Sequence, residues 1–70
     1  MPREPVTSSV IAAIGYDPQF RWLEVELKAG GLYLYREVPA SIHHAFMVAL
    51  SKGSFYNQWI RDDYQFVRVR

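Results

Sequence analysis

The sequence predicts a small α+β domain: a three-stranded antiparallel meander followed by one long helix and one short helix. Polar and apolar residues alternate along Phe20–Lys28, which is typical of a half-buried strand. A Gly-Gly pair separates this run from the apolar run Leu32–Glu37, as in a β-hairpin. After Pro39 the apolar residues recur at helical spacing. With 70 residues, the chain forms a single domain.

The first strand of the meander is predicted over Ser8–Tyr16, a run of small and β-branched residues. It ends before Asp17-Pro18, because aspartate and proline together favour a turn. The strands Phe20–Lys28 and Leu32–Glu37 then follow, so the three strands lie side by side in chain order.

The long helix is predicted to begin near Pro39, since the missing N–H of proline costs nothing in the first helical turn. The apolar residues that share one helical face are Ile42, Ala45, Phe46, Ala49 and Leu50. This stripe faces a core, and we expect Phe46 and Leu50 to be buried. Lys52 lies near the helix end, and Gly53 is expected to cap it.

Ser54 is expected to cap the short helix, which is predicted over Phe55–Tyr64. The tail Gln65–Arg70 alternates apolar and basic residues, and it either adds a short edge strand or stays loose. Residues 1–7 hold two prolines and show no periodicity, so we expect a flexible N-terminus. The folded domain is therefore predicted over residues 8–64.

The composition excludes several classes of protein. The chain has no cysteine, so neither a disulfide nor a thiolate metal site contributes. No segment approaches the roughly 20 apolar residues that span a bilayer, and the first residues do not form a signal peptide. We therefore expect a cytoplasmic protein with no membrane partner. The net charge of +1 is smaller than that of most dedicated nucleic-acid-binding domains.

An ordered series of short motifs runs from the first strand to the second helix. It comprises Gly15-Tyr16-Asp17, the Gly-Gly turn, Tyr33-x-Tyr35, Val38-Pro39, Ser51-Lys52-Gly53, Phe55-Tyr56-Asn57, Ile60-Arg61 and Tyr64. This series resembles the KTSC domain, a short bacterial module that occurs as standalone proteins and at the C-terminus of some lysyl-tRNA synthetases. The resemblance covers about residues 8–64. It implies no established activity. The occurrence of the family in the same chain as a tRNA synthetase suggests an RNA partner such as tRNA.

Residues with catalytic side chains are present, but no pattern assembles them. His43 and His44 are adjacent on the predicted helix and point about 100° apart, so they do not converge on one metal. No serine lies in a Gly-x-Ser-x-Gly turn. Glu24 and Glu26 share one strand face, for which solvent-facing charge is the ordinary explanation. We expect no enzymatic activity, no cofactor and no bound metal.

The register of the hairpin decides which way Tyr33 and Tyr35 face. A two-residue turn pairs Leu27 with Leu34 and places both tyrosines opposite the core, on the same face as Trp22. A three-residue loop with a glycine bulge shifts the register by one residue and turns both tyrosines into the core. We favour the two-residue turn, because Gly-Gly is a strong signal for it.

The candidate binding residues are Trp22, Tyr33, Tyr35, Asn57, Arg61, Arg68 and Arg70. The aromatic members would form an open sheet face of the kind on which RNA bases stack. Asn57 and Arg61 share one face of the short helix, and the arginines of the tail would hold phosphate. The ordinary explanation is that the aromatics complete a small core and that the polar residues are merely solvated.

The sequence thus predicts a small, non-enzymatic binding module. One hypothesis is an RNA-binding accessory domain related to tRNA. The alternative is a protein-interaction or self-association domain that uses the same aromatic face, since a second chain would cover such an apolar surface.

Overall fold

The structure of the chain is a computed structural model that describes residues 1–70. Its strands are β1 (Arg3–Pro5), β2 (Ile11–Asp17), β3 (Trp22–Leu27), β4 (Leu32–Tyr35) and β5 (Phe66–Arg68). Its helices are α1 (Ala40–Val48) and α2 (Lys52–Phe55), and α2 continues directly into a π-helical segment, Tyr56–Ile60. All neighbouring strands are antiparallel, and they follow chain order across one five-stranded sheet. The α+β class, the central meander and the C-terminal edge strand are confirmed.

The core lies between the helices and one face of the sheet, called here the inner face. Residues that alternate along the strands supply this face, and the helices close over it. Its fully buried members are Ile11, Ile14, Leu23, Val25, Tyr35, Val38, Phe46 and Ile60, each at most 1% exposed. No helix of the structure has the length and apolar character needed to cross a membrane.

The favoured hairpin register is wrong. Leu23 pairs with Tyr35 and Val25 pairs with Tyr33, so both tyrosines lie on the inner face. The turn is a three-residue loop, closed by a 3.0 Å hydrogen bond from the Leu27 amide to the Gly31 carbonyl. Gly30 and Gly31 have φ values of 110° and 102°, a region that glycine occupies without strain. The Gly-Gly pair therefore serves the bulged loop as well as it would have served the shorter turn.

The N-terminal residues form a strand, whereas the sequence predicts a flexible segment. Strand β1 pairs with β2, with Arg3 opposite Gly15. A Cβ atom on Gly15 would lie 3.0 Å from Arg3 Cγ, so the absence of a side chain there permits the close approach. Arg3 also lies 3.0 Å from Glu24 and 3.5 Å from Glu26. These contacts, which join residues far apart in the chain, attach the N-terminus to the sheet.

Helix α1 confirms one of the two predicted core residues and contradicts the other. Phe46 is fully buried, and its ring stacks on Phe55 with 5.5 Å between ring centres. Leu50 is fully exposed, because α1 ends at Val48 and Ala49 is already extended with ψ 137°. The apolar stripe read from the sequence continues beyond the point where the helix stops.

The second helix begins earlier than predicted. Its cap is Ser51, whose Oγ accepts a 3.3 Å hydrogen bond from the Ser54 amide. Gly53 lies inside α2 and does not cap the preceding helix. The helix then widens to a π-turn, in which the Arg61 amide donates to the Tyr56 carbonyl at 2.9 Å. This turn buries Tyr56 and Ile60 and carries the exposed Arg61 beyond them.

Candidate functional site

A groove opens between the inner face of the sheet, near its β4–β5 edge, and the second helix. It encloses about 510 Å³. Its lining residues are Val10, Leu27, Tyr33, Tyr35, Tyr56, Asn57, Arg61, Asp62 and Phe66. We call it the tyrosine groove. It brings together four of the candidate residues named from the sequence: Tyr33, Tyr35, Asn57 and Arg61.

One wall of the tyrosine groove is aromatic. Tyr33 and Phe66 meet edge to face with ring centres 5.5 Å apart, and Tyr35 lies 5.4 Å from Phe66. Phe66 keeps half of its surface exposed, and Tyr33 is half-buried. The guanidinium of Arg68 lies over the Tyr33 ring, 5.7 Å from its centre, which is within the range of a cation–π contact. This wall offers flat apolar surface with a positive charge beside it.

The floor of the tyrosine groove holds two phenol hydroxyls. The hydroxyls of Tyr35 and Tyr56 lie 2.5 Å apart and share a hydrogen bond, and their rings meet nearly at right angles. The two residues are 1% and 5% exposed. Burial raises the pKa of both phenols above the ordinary value of 10, because the charged phenolate loses its hydration. Both tyrosines therefore remain protonated at neutral pH.

The rim of the tyrosine groove is polar and carries both signs of charge. The Arg61 guanidinium donates a long, 3.4 Å hydrogen bond to the side-chain oxygen of Asn57. Asp62 also lines the groove, but the salt bridges of the structure involve Arg3 and Arg70 and none involves Arg61. Arg61 is exposed, so its charge is available to an anionic ligand.

Two candidate residues lie elsewhere, so the expected aromatic face does not form. Trp22 projects from the opposite, outer face of the sheet, where it stacks on Phe20 with ring centres 5.3 Å apart. Arg70 also reaches the outer face, where it lies 3.4 Å from Glu26. The reason for the separation of Trp22 from the two tyrosines is the one-residue change of register, which exchanges the faces of β4.

The sequence-based set of candidates omits Tyr56 and Phe66. Tyr56 and Ile60 are four positions apart in the predicted short helix, a spacing that is typical of core residues. Phe66 lies two positions before Arg68 in β5, and both face inward because Phe66 pairs with Tyr35 and Arg68 with Tyr33. The alternating sequence of the tail already indicated that Phe66 and Arg68 share one face of a strand. Which face of the sheet that is follows only from the pairing of β5 with β4.

A second cleft, of about 410 Å³, lies beside β1, β2 and the start of α1. His43 stacks on Tyr16 there, with ring centres 4.5 Å apart and planes within 9°. Tyr16 in turn donates a 2.6 Å hydrogen bond to the Val38 carbonyl. Burial lowers the pKa of His43, and Glu4 opposes that effect only in part. His44 is exposed, and no group of three histidine or carboxylate side chains comes together as a metal site.

Comparison with known proteins gives a family. The KTSC domain matches residues 7–64. The chain belongs to the KTSC domain family. In a crystal structure, a KTSC domain protein from Yersinia pestis has the same fold, with a TM-score of 0.96 and 40% identity over 99% of this chain and 97% of that one. An uncharacterized protein of Stutzerimonas stutzeri is 37% identical over 99% of both chains.

A longer relative is more distant. A lysine–tRNA ligase of Nostoc punctiforme is 33% identical over 87% of this KTSC domain, and the match spans only 11% of the ligase. The short motifs on which the resemblance rests contribute to the tyrosine groove. Tyr33 belongs to its wall, Tyr35 and Tyr56 to its floor, and Asn57 and Arg61 to its rim.

Proposed function

We propose that this KTSC domain is a non-enzymatic module that binds single-stranded RNA in the tyrosine groove. The observation that carries the proposal is the side-by-side placement of exposed aromatic surface on Tyr33 and Phe66 with the cations of Arg61 and Arg68. Single-stranded RNA is bound by this combination elsewhere, since bases stack on aromatic rings and phosphates pair with basic groups.

The shape of the tyrosine groove supports a nucleotide-sized ligand. Its volume of about 510 Å³ falls in the range of small-molecule sites. A base that enters it meets an apolar wall and a floor of neutral hydroxyls. A phosphate at the rim meets Arg61, which no carboxylate of the protein neutralises by a salt bridge. Similarity to part of a lysine–tRNA ligase supports RNA as the class of ligand.

The charge of the domain limits the affinity that we expect. The net charge is only +1, and Asp62 lines the rim close to Arg61. With two arginines at the groove, about two phosphates are neutralised. The logarithm of the binding constant should then fall with the logarithm of salt concentration with a slope of roughly −1.4. Affinity at low salt should be micromolar at best.

The test is a fluorescence anisotropy titration of labelled single-stranded RNA with the parent, Arg61→Ala and Arg36→Ala. Both variants remove one exposed arginine that forms no salt bridge, so they change net charge equally. Only Arg61 lines the tyrosine groove. Arg61→Ala should weaken binding several-fold and make the salt slope shallower by roughly 0.7, whereas Arg36→Ala should change both little.

Two results would count against this function. If the parent does not bind RNA even at low salt, the proposal is wrong. If both arginine variants weaken binding equally, RNA is held by overall charge and not by the groove. Thermal melts of the same samples control for loss of folded protein.

A second candidate function is association with another protein through the outer face of the sheet. It is favoured by the stacked pair Phe20 and Trp22, which are 57% and 39% exposed. On the same face Val67 is 53% exposed, opposite Leu34. Trp22→Ala should then change the sedimentation coefficient of the purified chain or its capture of a partner, and it should leave RNA binding unchanged.

A further inference from the structure

The hydroxyl pair on the floor of the tyrosine groove has one proton more than its own hydrogen bond uses. Tyr35 and Tyr56 each carry one O–H, and the bond between them consumes one. No backbone or side-chain acceptor of the protein takes the other. The pair therefore presents a donor, which a bound ligand must satisfy or leave unpaired in a buried place.

The positions of the two tyrosines indicate which hydroxyl carries this donor. Tyr35 is the more deeply buried, at 1% exposed against 5% for Tyr56. Tyr56 lies on the π-helical segment, directly before the rim residue Asn57. Either hydroxyl can donate to the other. The arrangement that leaves the free proton on the less deeply buried residue has Tyr35 donating outward to Tyr56, with the Tyr56 proton pointing into the groove.

We propose that Tyr56 is the base-recognising residue of the tyrosine groove, and that its hydroxyl, which accepts from Tyr35, donates to a carbonyl oxygen of the bound base. This inference rests on the proposed binding of RNA and adds a preference for bases that carry a keto group. Uracil presents two carbonyl oxygens and no amino group. Adenine also has ring nitrogens that accept hydrogen bonds, but its amino group lies beside N1 and N7 and would face the donors of the groove.

Other groups around the groove agree with a ligand that accepts hydrogen bonds. Arg61 has donors only, and the side-chain oxygen of Asn57 already accepts from Arg61, which leaves its amide N–H groups free to donate. Both tyrosines stay protonated at neutral pH because burial raises the pKa of each phenol. Asp62 is the one acceptor with a formal charge at the rim.

The test compares Tyr56→Phe with Tyr35→Phe, by anisotropy titration of labelled oligouridine and oligoadenosine of equal length. The two variants form a matched pair, because each removes one hydroxyl and the same hydrogen bond. In Tyr35→Phe the Tyr56 hydroxyl keeps its proton for the ligand; in Tyr56→Phe that donor is gone. Thermal melts verify that both variants remain folded.

The expected result is asymmetric. The parent should bind oligouridine more tightly than oligoadenosine. Tyr56→Phe should lose roughly two- to tenfold in affinity for oligouridine, as expected for one hydrogen bond, and little for oligoadenosine. Tyr35→Phe should stay close to the parent with both ligands.

Several results would overturn the inference. If Tyr56→Phe binds oligouridine like the parent, or if Tyr35→Phe loses as much affinity for oligouridine as Tyr56→Phe does, Tyr56 does not recognise the base. Either result would leave the proposed RNA binding itself intact. A parent that binds both oligonucleotides equally would also overturn it, and this comparison needs no variant. A parent that binds neither would overturn the inference together with the proposed function.

Discussion

The burial of Phe46 gives the sharpest prediction about stability. Phe46 is fully buried, and its ring stacks on Phe55 and Tyr56 with ring centres 5.5 and 6.4 Å apart. Replacement of a buried phenylalanine by alanine costs about 3–5 kcal/mol. A domain of 70 residues has a free energy of unfolding of roughly 4–10 kcal/mol, at 0.05–0.15 kcal/mol per residue. Phe46→Ala should therefore remove about half of the stability of the domain.

The matched control is Leu50→Ala, since both residues belong to the same apolar stripe of the sequence. Leu50 is fully exposed, so its replacement should change the free energy of unfolding by less than about 0.5 kcal/mol. Urea denaturation followed by circular dichroism measures both. If Leu50→Ala cost as much as Phe46→Ala, the helix would extend beyond Val48 and the assigned packing of α1 would be wrong. If Phe46→Ala melted like the parent, Phe46 would not be a core residue.

Two further predictions concern pH. Burial raises the pKa of Tyr35 and Tyr56 above 10, so the unfolded chain loses these two protons at a lower pH than the folded chain does. The free energy of unfolding should therefore fall above about pH 10, by up to about 1.4 kcal/mol per pH unit for each tyrosine. Urea melts at alkaline pH should show a smaller decline for Tyr35→Phe, and an equal decline would contradict the burial of the pair. Burial lowers the pKa of His43, so the unfolded chain binds the proton more readily and stability should fall as pH drops below about 6.5. His43→Gln should flatten that fall in melts between neutral pH and about pH 5, whereas the exposed neighbour His44→Gln should not.

Much of the fold was predictable because local patterns carry it. The alternation of β3 and the helical stripe around Phe46 each reflect a repeat within a few residues, and both elements form, although α1 ends at Val48 and leaves Leu50 outside the helix. The chain termini were harder. Strand β1 depends on the absence of a side chain at Gly15 and on salt bridges from Arg3. These contacts involve residues far along the chain, so the sequence of the first residues alone does not predict them.

The candidate site was predictable in part, and the error has one physical cause. Gly30 and Gly31 supply positive φ values for either kind of hairpin, so the local sequence does not choose between a two-residue turn and a three-residue loop. The choice is made by the packing of Tyr35, whose hydroxyl meets Tyr56. That partner lies 21 positions further along the chain. The register therefore depends on a tertiary contact. The separation of Trp22 from the two tyrosines depends on the same contact, because it follows from the register.

The measurement that tests the central claim most directly is an NMR titration of the labelled domain with single-stranded RNA at low salt. Binding in the tyrosine groove should shift the signals of Tyr33, Asn57, Arg61 and Phe66, including the side-chain amide of Asn57. The indole signal of Trp22, on the outer face, should stay in place and serves as an internal control. Shifts confined to Trp22 and its neighbours, or no shifts at any RNA concentration, would contradict the account.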